Sequence, residues 1–178
     1  MPRPLSEALR RARRVRLMVF DVDGVLTDGR LWYGPGGEAL KAFHVRDGHG
    51  LRMLSASGVG TAILSGRRSD AVAARAAELG IADVFQGVED KRDALDALLR
   101  RRRVPPGAAG YMGDDLPDLP ALRRSGFACA PREAPALVRR HAHYIAAAPA
   151  GGGAVREVCE LLMRAQGTLD ATLAAYLA

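Results

Sequence analysis

Short apolar runs in this sequence end in polar residues whose types suit the transfer of a phosphoryl group. The first run, Leu17–Val22, carries Asp21 and is followed at once by Asp23, within Asp21-Val22-Asp23-Gly24-Val25-Leu26-Thr27-Asp28-Gly29. The second, Gly60–Ser65, leads into Gly66 and Arg67, and Lys91 opens the helical pattern after the third, Val84–Gln86. The fourth, Ala109–Met112, ends at Gly113-Asp114-Asp115, with Asp118 close behind. A phosphate monoester carries two negative charges, so a carboxylate nucleophile approaches it only when a cation screens the repulsion. An oxygen-rich cluster suits Mg²⁺, which takes few protein ligands and keeps several waters. Asp21 and Asp114 are the natural carboxylate ligands, with the backbone carbonyl of Asp23 as a third. Asp21 can then attack phosphorus in line and form an acyl phosphate. Asp23 can protonate the leaving alcohol and later take a proton from the attacking water. Ser65, neighbouring N–H groups and Lys91 would hold the phosphoryl oxygens as charge shifts.

Taken singly, these residues have plainer readings. An isolated Asp-x-Asp is most often a turn or a helix cap, Ser65 alone an N-cap, and Lys91 alone a surface residue. The order of all four at strand ends is what promotes them, because open α/β sheets bind ligands outside the carboxyl ends of their strands. Asp21 and Asp23 also follow a buried apolar strand, where an unpaired carboxylate is costly. Asp115 reads either as a ligand or as an orienting neighbour, and Asp118 either as a ligand or as a residue behind the ligands. His141-x-His143 suggests a metal pair, but alternation near a strand would put both on one exposed face without a third ligand. His44 and His49 lie by the hairpin described next, where contact with substrate or subunit competes with packing. Gly151–Gly153 reads as a phosphate loop or as a flexible joint before the last helix.

The elements that must position these residues follow an alternation of apolar runs and helical patterns, the mark of a parallel sheet covered by helices. Helices are expected at Gly48–Ser57, from the Ser69 cap through Leu79, at Lys91–Arg102, up to Arg124, and near Ala134–Arg139. Further strands are expected at Gly126–Ala130 and His143–Ile145, and a last helix runs from Gly151–Gly153 to about Ala165. Residues 28–43 break the alternation: Arg30–Tyr33 and Ala39–Phe43 flank Gly34-Pro35-Gly36-Gly37, a hairpin signal inserted after the first strand. Residues 166–178 form a tail, and the 178 residues read as one domain without a large cap.

Composition narrows the classes. Hydrophobic residues make up 48% and charged residues 26%, as in soluble proteins. No apolar run is long enough to span a bilayer, and the short run after Arg10–Arg16 leads into Asp21 without a cleavage site, which points to the cytoplasm and to no membrane partner. Cys129 and Cys159 sit in no metal or redox spacing, so reduced buried thiols are expected. The net charge of +6 comes largely from Arg10–Arg16 and Arg100–Arg103. With aromatics at only 5%, these clusters read as solvated helical surface rather than as a nucleic-acid site.

Asp21-x-Asp23, Ser65, Lys91 and Gly113-Asp114-Asp115-x-x-Asp118 resemble, in order, the four motifs of the haloacid dehalogenase superfamily. The resemblance implies a Rossmann-like three-layer α/β fold with the hairpin after strand 1, and a nucleophilic first Asp, an acid/base second Asp and Mg²⁺. The longer segments Gly37-Glu38-Ala39-Leu40-Lys41-Ala42-Phe43-His44-Val45-Arg46-Asp47-Gly48 and Gly152-Gly153-Ala154-Val155-Arg156-Glu157-Val158 resemble the 3-deoxy-D-manno-octulosonate 8-phosphate phosphatases. That likeness implies a phosphorylated acid sugar as substrate, a place in lipopolysaccharide precursor synthesis, and a homotetramer whose hairpins and tails close neighbouring sites. It also implies substrate contacts at Gly66 and Arg67, and at Lys41 and Arg46 reaching a neighbour's site. Phosphatases of nine-carbon acid sugar phosphates share these motifs, and a catalytically silent scaffold is the alternative of another class.

Overall fold

The computed structural model describes residues 4–177, so residues 1–3 and the last residue of the expected tail lie outside the described region. A first helix, α1 (Leu5–Ala12), leads into strand β1 (Leu17–Phe20). A hairpin follows, β2 (Trp32–Gly34) and β3 (Gly37–Leu40), then α2 (Val45–Ala56), β4 (Gly60–Leu64), α3 (Asp70–Leu79) and β5 (Asp83–Phe85). The second half contains α4 (Lys91–Arg102), β6 (Ala109–Met112), α5 (Leu119–Arg124), β7 (Phe127–Ala130), α6 (Ala136–His141), β8 (Tyr144–Ile145), α7 (Ala154–Gln166) and α8 (Leu169–Ala174).

Six strands form one parallel sheet in the order β5-β4-β1-β6-β7-β8. β1 sits inside it, with Leu17 opposite Gly60 of β4 on one side and Ala109 of β6 on the other. The chain winds outward from β1 to β5 and then crosses back to β6, so the direction of winding reverses beside β1. That reversal opens a crevice above the carboxyl ends of β1, β4 and β6, where the polar residues of interest sit.

The strands are apolar throughout because both faces are covered. Their side chains alternate between two cores. Met18, Phe20, Ile63, Met112, Phe127 and Cys129 pack with residues of α1, α2, α3 and α7. Leu17, Val19, Ala62, Leu64, Tyr111 and Ala128 pack with Leu95, Leu98, Leu122 and Val138 of α4, α5 and α6. Both cysteines are free and buried, and burial pushes the Cys129 and Cys159 thiols up.

Several boundaries differ from the sequence expectation for identifiable reasons. β1 ends at Phe20 rather than Val22, because the Val22 carbonyl turns to accept the N–H groups of Val25, Leu26 and Thr27. α2 starts at Val45, three residues early, because His44 acts as its cap: the His44 Nδ1 accepts the Arg46 N–H at 3.2 Å. The tail is not featureless: α8 forms there, with Leu169 buried, and Tyr176 meets the His49 ring edge-on at 5.4 Å. His141 and His143 do not share a strand face. His141 ends α6, and His143 accepts the Ala128 N–H at 2.8 Å.

The Gly151–Gly153 run is neither a phosphate loop nor slack chain. Gly151 has φ of +56°, its N–H donates to the Val25 carbonyl at 3.1 Å, and a Cβ there would lie 2.4 Å from the Asp28 nitrogen. The buried Asp47 of α2 accepts the N–H groups of Gly153 at 3.1 Å and Arg156 at 2.8 Å. This segment therefore locks the start of α7 against α2 and the loop after β1.

Candidate active site

A cavity of about 370 Å³ opens above the β1, β4 and β6 ends. Its walls include Asp21, Asp23, Ser65, Gly66, Arg67, Lys91, Asp114 and Asp118. Each arrives by a separate route. Asp21 continues the β1 ladder by donating its N–H to the Met112 carbonyl at 3.0 Å, and its Oδ1 accepts the Val22 N–H at 2.7 Å. The loop beyond it is tightened by the buried Thr27, whose Oγ1 accepts the N–H groups of Gly24 at 3.4 Å and Gly29 at 3.2 Å. Gly24 is required here: its φ is +83°, and a Cβ would fall 2.1 Å from Asp114 Oδ2.

Ser65 is buried at the end of β4, its N–H on the Phe85 carbonyl at 2.8 Å and its Oγ accepting the Arg67 N–H at 3.3 Å. Lys91 is the first residue of α4, whose start is capped by the Asp90 carboxylate on the Arg92 and Asp93 N–H groups. That cap aims the buried ammonium at Asp21 Oδ2, 2.7 Å away, and at Asp118 Oδ1, 2.6 Å away. Burial opposes the charge on Lys91, but Asp21 and Asp118 outweigh it and hold the ammonium above its usual range.

The carboxylates outnumber this one cation. Burial and the charge of Asp118 push the Asp21 carboxyl up to about 7 despite Lys91. Burial, followed by the charges of Asp118, Asp21 and Asp115, pushes Asp114 up to about 7 as well. Oxygens of Asp21, Asp114 and Asp118 all lie within 4.8 Å of one another. Such crowding is what a divalent cation relieves. Asp118, however, is already occupied. Its Oδ1 takes Lys91 and the Tyr111 hydroxyl at 2.7 Å, and its Oδ2 takes the N–H groups of Asp114 at 3.0 Å and Asp115 at 3.2 Å. Asp21, with one contact on each oxygen against the two on each oxygen of Asp118, and Asp114 keep lone pairs for an oxygen-coordinated ion. The exposed Asp115 pairs with Asp118 in a reciprocal cap of the short turn Leu116–Asp118.

Lys41 engages acidic groups of its own chain: its ammonium contacts Asp23 Oδ1 and lies 3.1 Å from Glu38 Oε2. Arg67 reaches the other oxygen of Asp23, Nε to Oδ2 at 3.8 Å. Arg46 stands exposed in the first turn of α2, outside the cavity wall. Two contributors were not singled out from sequence. Tyr111 reads as an ordinary core residue of an apolar strand, and Thr27 as a turn residue.

No family model matches the chain. The chain is 42% identical over 165 residues to the 3-deoxy-D-manno-octulosonate 8-phosphate phosphatase KdsC of Escherichia coli K12, covering 93% of this chain and 88% of that protein. It superposes with a TM-score of 0.95 on the 3-deoxy-D-manno-octulosonate 8-phosphate phosphatase of Moraxella catarrhalis, solved with magnesium, phosphate and KDO. There the identity is 42%, over 97% of this chain and 99% of that one. The cobalt-bound deoxy-D-mannose-octulosonate 8-phosphate phosphatase of Haemophilus influenzae matches at 38% identity and a TM-score of 0.91, over 94% and 99% of the two chains. With the fold, the four strand-end motifs and this likeness along nearly the whole length, the chain belongs to the 3-deoxy-D-manno-octulosonate 8-phosphate phosphatase family of the haloacid dehalogenase superfamily.

Proposed function

We propose that this chain hydrolyses 3-deoxy-D-manno-octulosonate 8-phosphate to the free sugar acid and phosphate, with Mg²⁺ as cofactor and Asp21 as nucleophile. The observation that carries the reading is the crowding of Asp21 and Asp114 opposite Lys91 in a cavity that Asp23 and Ser65 also line. Mg²⁺ held by Asp21 and Asp114 would screen the phosphoryl charge. Asp21 attacks phosphorus as the bond to the sugar oxygen breaks, and Asp23 gives that oxygen a proton. Water then attacks the phospho-aspartate, Asp23 takes back a proton, and Asp21 is freed. Lys91 and the Ser65 hydroxyl would hold the transferring oxygens, and Gly66 and Arg67, which line the same cavity, would meet the sugar acid. The guanidinium of Arg67 suits a carboxylate or phosphate.

The chain acts in lipopolysaccharide precursor synthesis in this reading, as a single domain of the cytoplasm. Homotetrameric assembly is favoured by the exposed Trp32, Tyr33 and Leu40 of the hairpin and Val45 beside it. No helix among the described residues is long and apolar enough to cross a membrane. Arg101 and Arg102 are engaged with Asp83, which supports surface structure over nucleic-acid binding.

Phosphate release with Mg²⁺ tests the proposal, comparing the eight-carbon substrate with a nine-carbon acid sugar 9-phosphate and hexose phosphates. A preference for the eight-carbon substrate that EDTA abolishes is the expected result. Equal rates on all of them would sink the substrate assignment, and no release from any would favour a silent scaffold.

A further inference from the structure

Lys41 is an unusual lysine for a hairpin: its side chain is only 1% exposed, yet it is absent from the cavity wall. It meets Asp23 without itself lining that cavity. Its ammonium is shared between Asp23 Oδ1 and Glu38, so two carboxylates already absorb its single charge. Glu38 in turn takes a hydrogen bond from the Ser69 side chain, and the Ser69 N–H donates to Gln86 Oε1 at 2.8 Å. A chain of polar contacts thus runs from the loop beyond β4, through the hairpin, to Asp23. With Oδ1 engaged by Lys41, Asp23 Oδ2 is the oxygen turned toward Arg67, which does line the cavity.

We infer that Lys41 and Glu38 are positioning residues for the acid/base step: the hairpin fixes the Asp23 carboxyl through Lys41, and Glu38 fixes Lys41. This inference rests on the phosphatase reading above and deepens it. A fixed Asp23 matters most where the departing oxygen needs a proton, because proton transfer demands hydrogen-bond distance and orientation. The hairpin therefore takes part in the chemistry of its own chain, and a partly buried salt bridge serves here to orient a reacting group. A lysine that bound substrate would instead stand on the cavity wall with an unshared charge.

The test compares two phosphate esters in the full-length protein with Mg²⁺, following the rate of the first leaving-group burst. Asp23 must protonate the alkoxide of the sugar phosphate, whereas 2,4-dinitrophenolate departs without a proton. In Lys41→Met the sugar-phosphate burst should slow by about 10²-fold, within the range of lost acid catalysis. The dinitrophenolate burst should change less than about threefold, and KM should hold. Glu38→Gln should show the same selectivity at smaller amplitude. Equal losses on both esters, or no loss on either, would overturn the inference while leaving the phosphatase reading intact. A wild-type chain that releases no leaving group from either ester removes that reading and this inference with it. Melting of the metal-free protein gives a second readout. Lys41→Met leaves Asp23 and Glu38 facing each other and should lower the melting temperature, and adding Asp23→Asn should recover part of the loss. Additive effects of the two substitutions would show that no pair holds Asp23.

Discussion

The strand-end cluster and the hairpin contribute to one cavity but are built in opposite ways. Asp21, Ser65, Lys91 and Asp118 are all buried, each fixed by a ladder bond, a cap or an ion pair inside a sheet packed on both faces. The hairpin is a separate two-stranded sheet with an irregular register between Trp32 and Tyr33, and it exposes its apolar side chains. A two-stranded ribbon is marginal by itself. The difference teaches where accuracy comes from. Asp21 is held by the sheet and by Lys91 of α4, while Asp23, two residues on and outside the sheet, is anchored by Lys41 at the end of the hairpin.

Substitutions can break this contrast. Asp21→Asn should abolish phosphate release while the protein still folds, because the amide keeps the shape and relieves a crowded charge. Residual release near the wild-type rate would remove Asp21 as nucleophile. Asp23→Asn should lower turnover by about 10²- to 10⁴-fold, since it removes acid/base help alone.

The next effect sharpens the strand-end half of the comparison. Asp21 and Asp114 are raised from 3.8 to about 7 without a metal. The folded chain therefore binds protons more tightly than the unfolded one. This term favours the fold below 3.8 and is lost as pH rises toward about 7. Mg²⁺ competes with those protons, so its affinity should fall steeply as pH drops below 7. Its stabilisation of the protein should be large at pH 8 and slight at pH 5, read as a melting shift. A shift independent of pH would refute metal binding by these two carboxyls.

Tyr111→Phe should have a smaller effect. It removes one of four donors on Asp118 and should cost about 1.5–3 kcal/mol, the worth of a hydrogen bond to a charged group, in denaturant unfolding. Turnover should fall with it as Lys91 loses a fixed partner, and an unchanged stability would show that Tyr111 is mere filling. The smallest effect on the fold belongs to the hairpin face: Trp32→Ser with Tyr33→Ser should leave unfolding of the core within about 0.5 kcal/mol. It should, however, reduce the assembly mass seen in sedimentation.

Most of the strand-end cluster was legible in the sequence because its rule is one-dimensional. A buried strand must be apolar, so a carboxylate at its end stands out, and Asp21, Ser65 and Asp114 follow directly. Lys91 was legible for the same reason, as the opening of a helix after a strand. Tyr111 was not, since a tyrosine inside Ala109–Met112 looks like any large core residue until Asp118 is folded back over it. Lys41 was singled out only through the resemblance. Its pairing with Asp23 and Glu38 was not legible because β3 ends at Leu40, one residue before it, so no strand alternation aims its side chain. The tail helix was hidden in an Ala- and Leu-rich stretch, whose docking rests on the single buried Leu169 and the Tyr176–His49 contact.

The inner place of β1 also sets the order of events during synthesis. The strand that leads into Asp21 leaves the ribosome early, yet it is flanked by Gly60 on one edge and Ala109 on the other. Until β6 has emerged, the Met112 carbonyl that fixes the Asp21 N–H does not exist, and an edge of Leu17–Phe20 stays open. Pairings between such distant segments are slow to close and leave sticky edges exposed meanwhile. A nascent chain halted before Ala109 would therefore hold its most apolar strand half-paired, a substrate for chaperones rather than an enzyme in waiting.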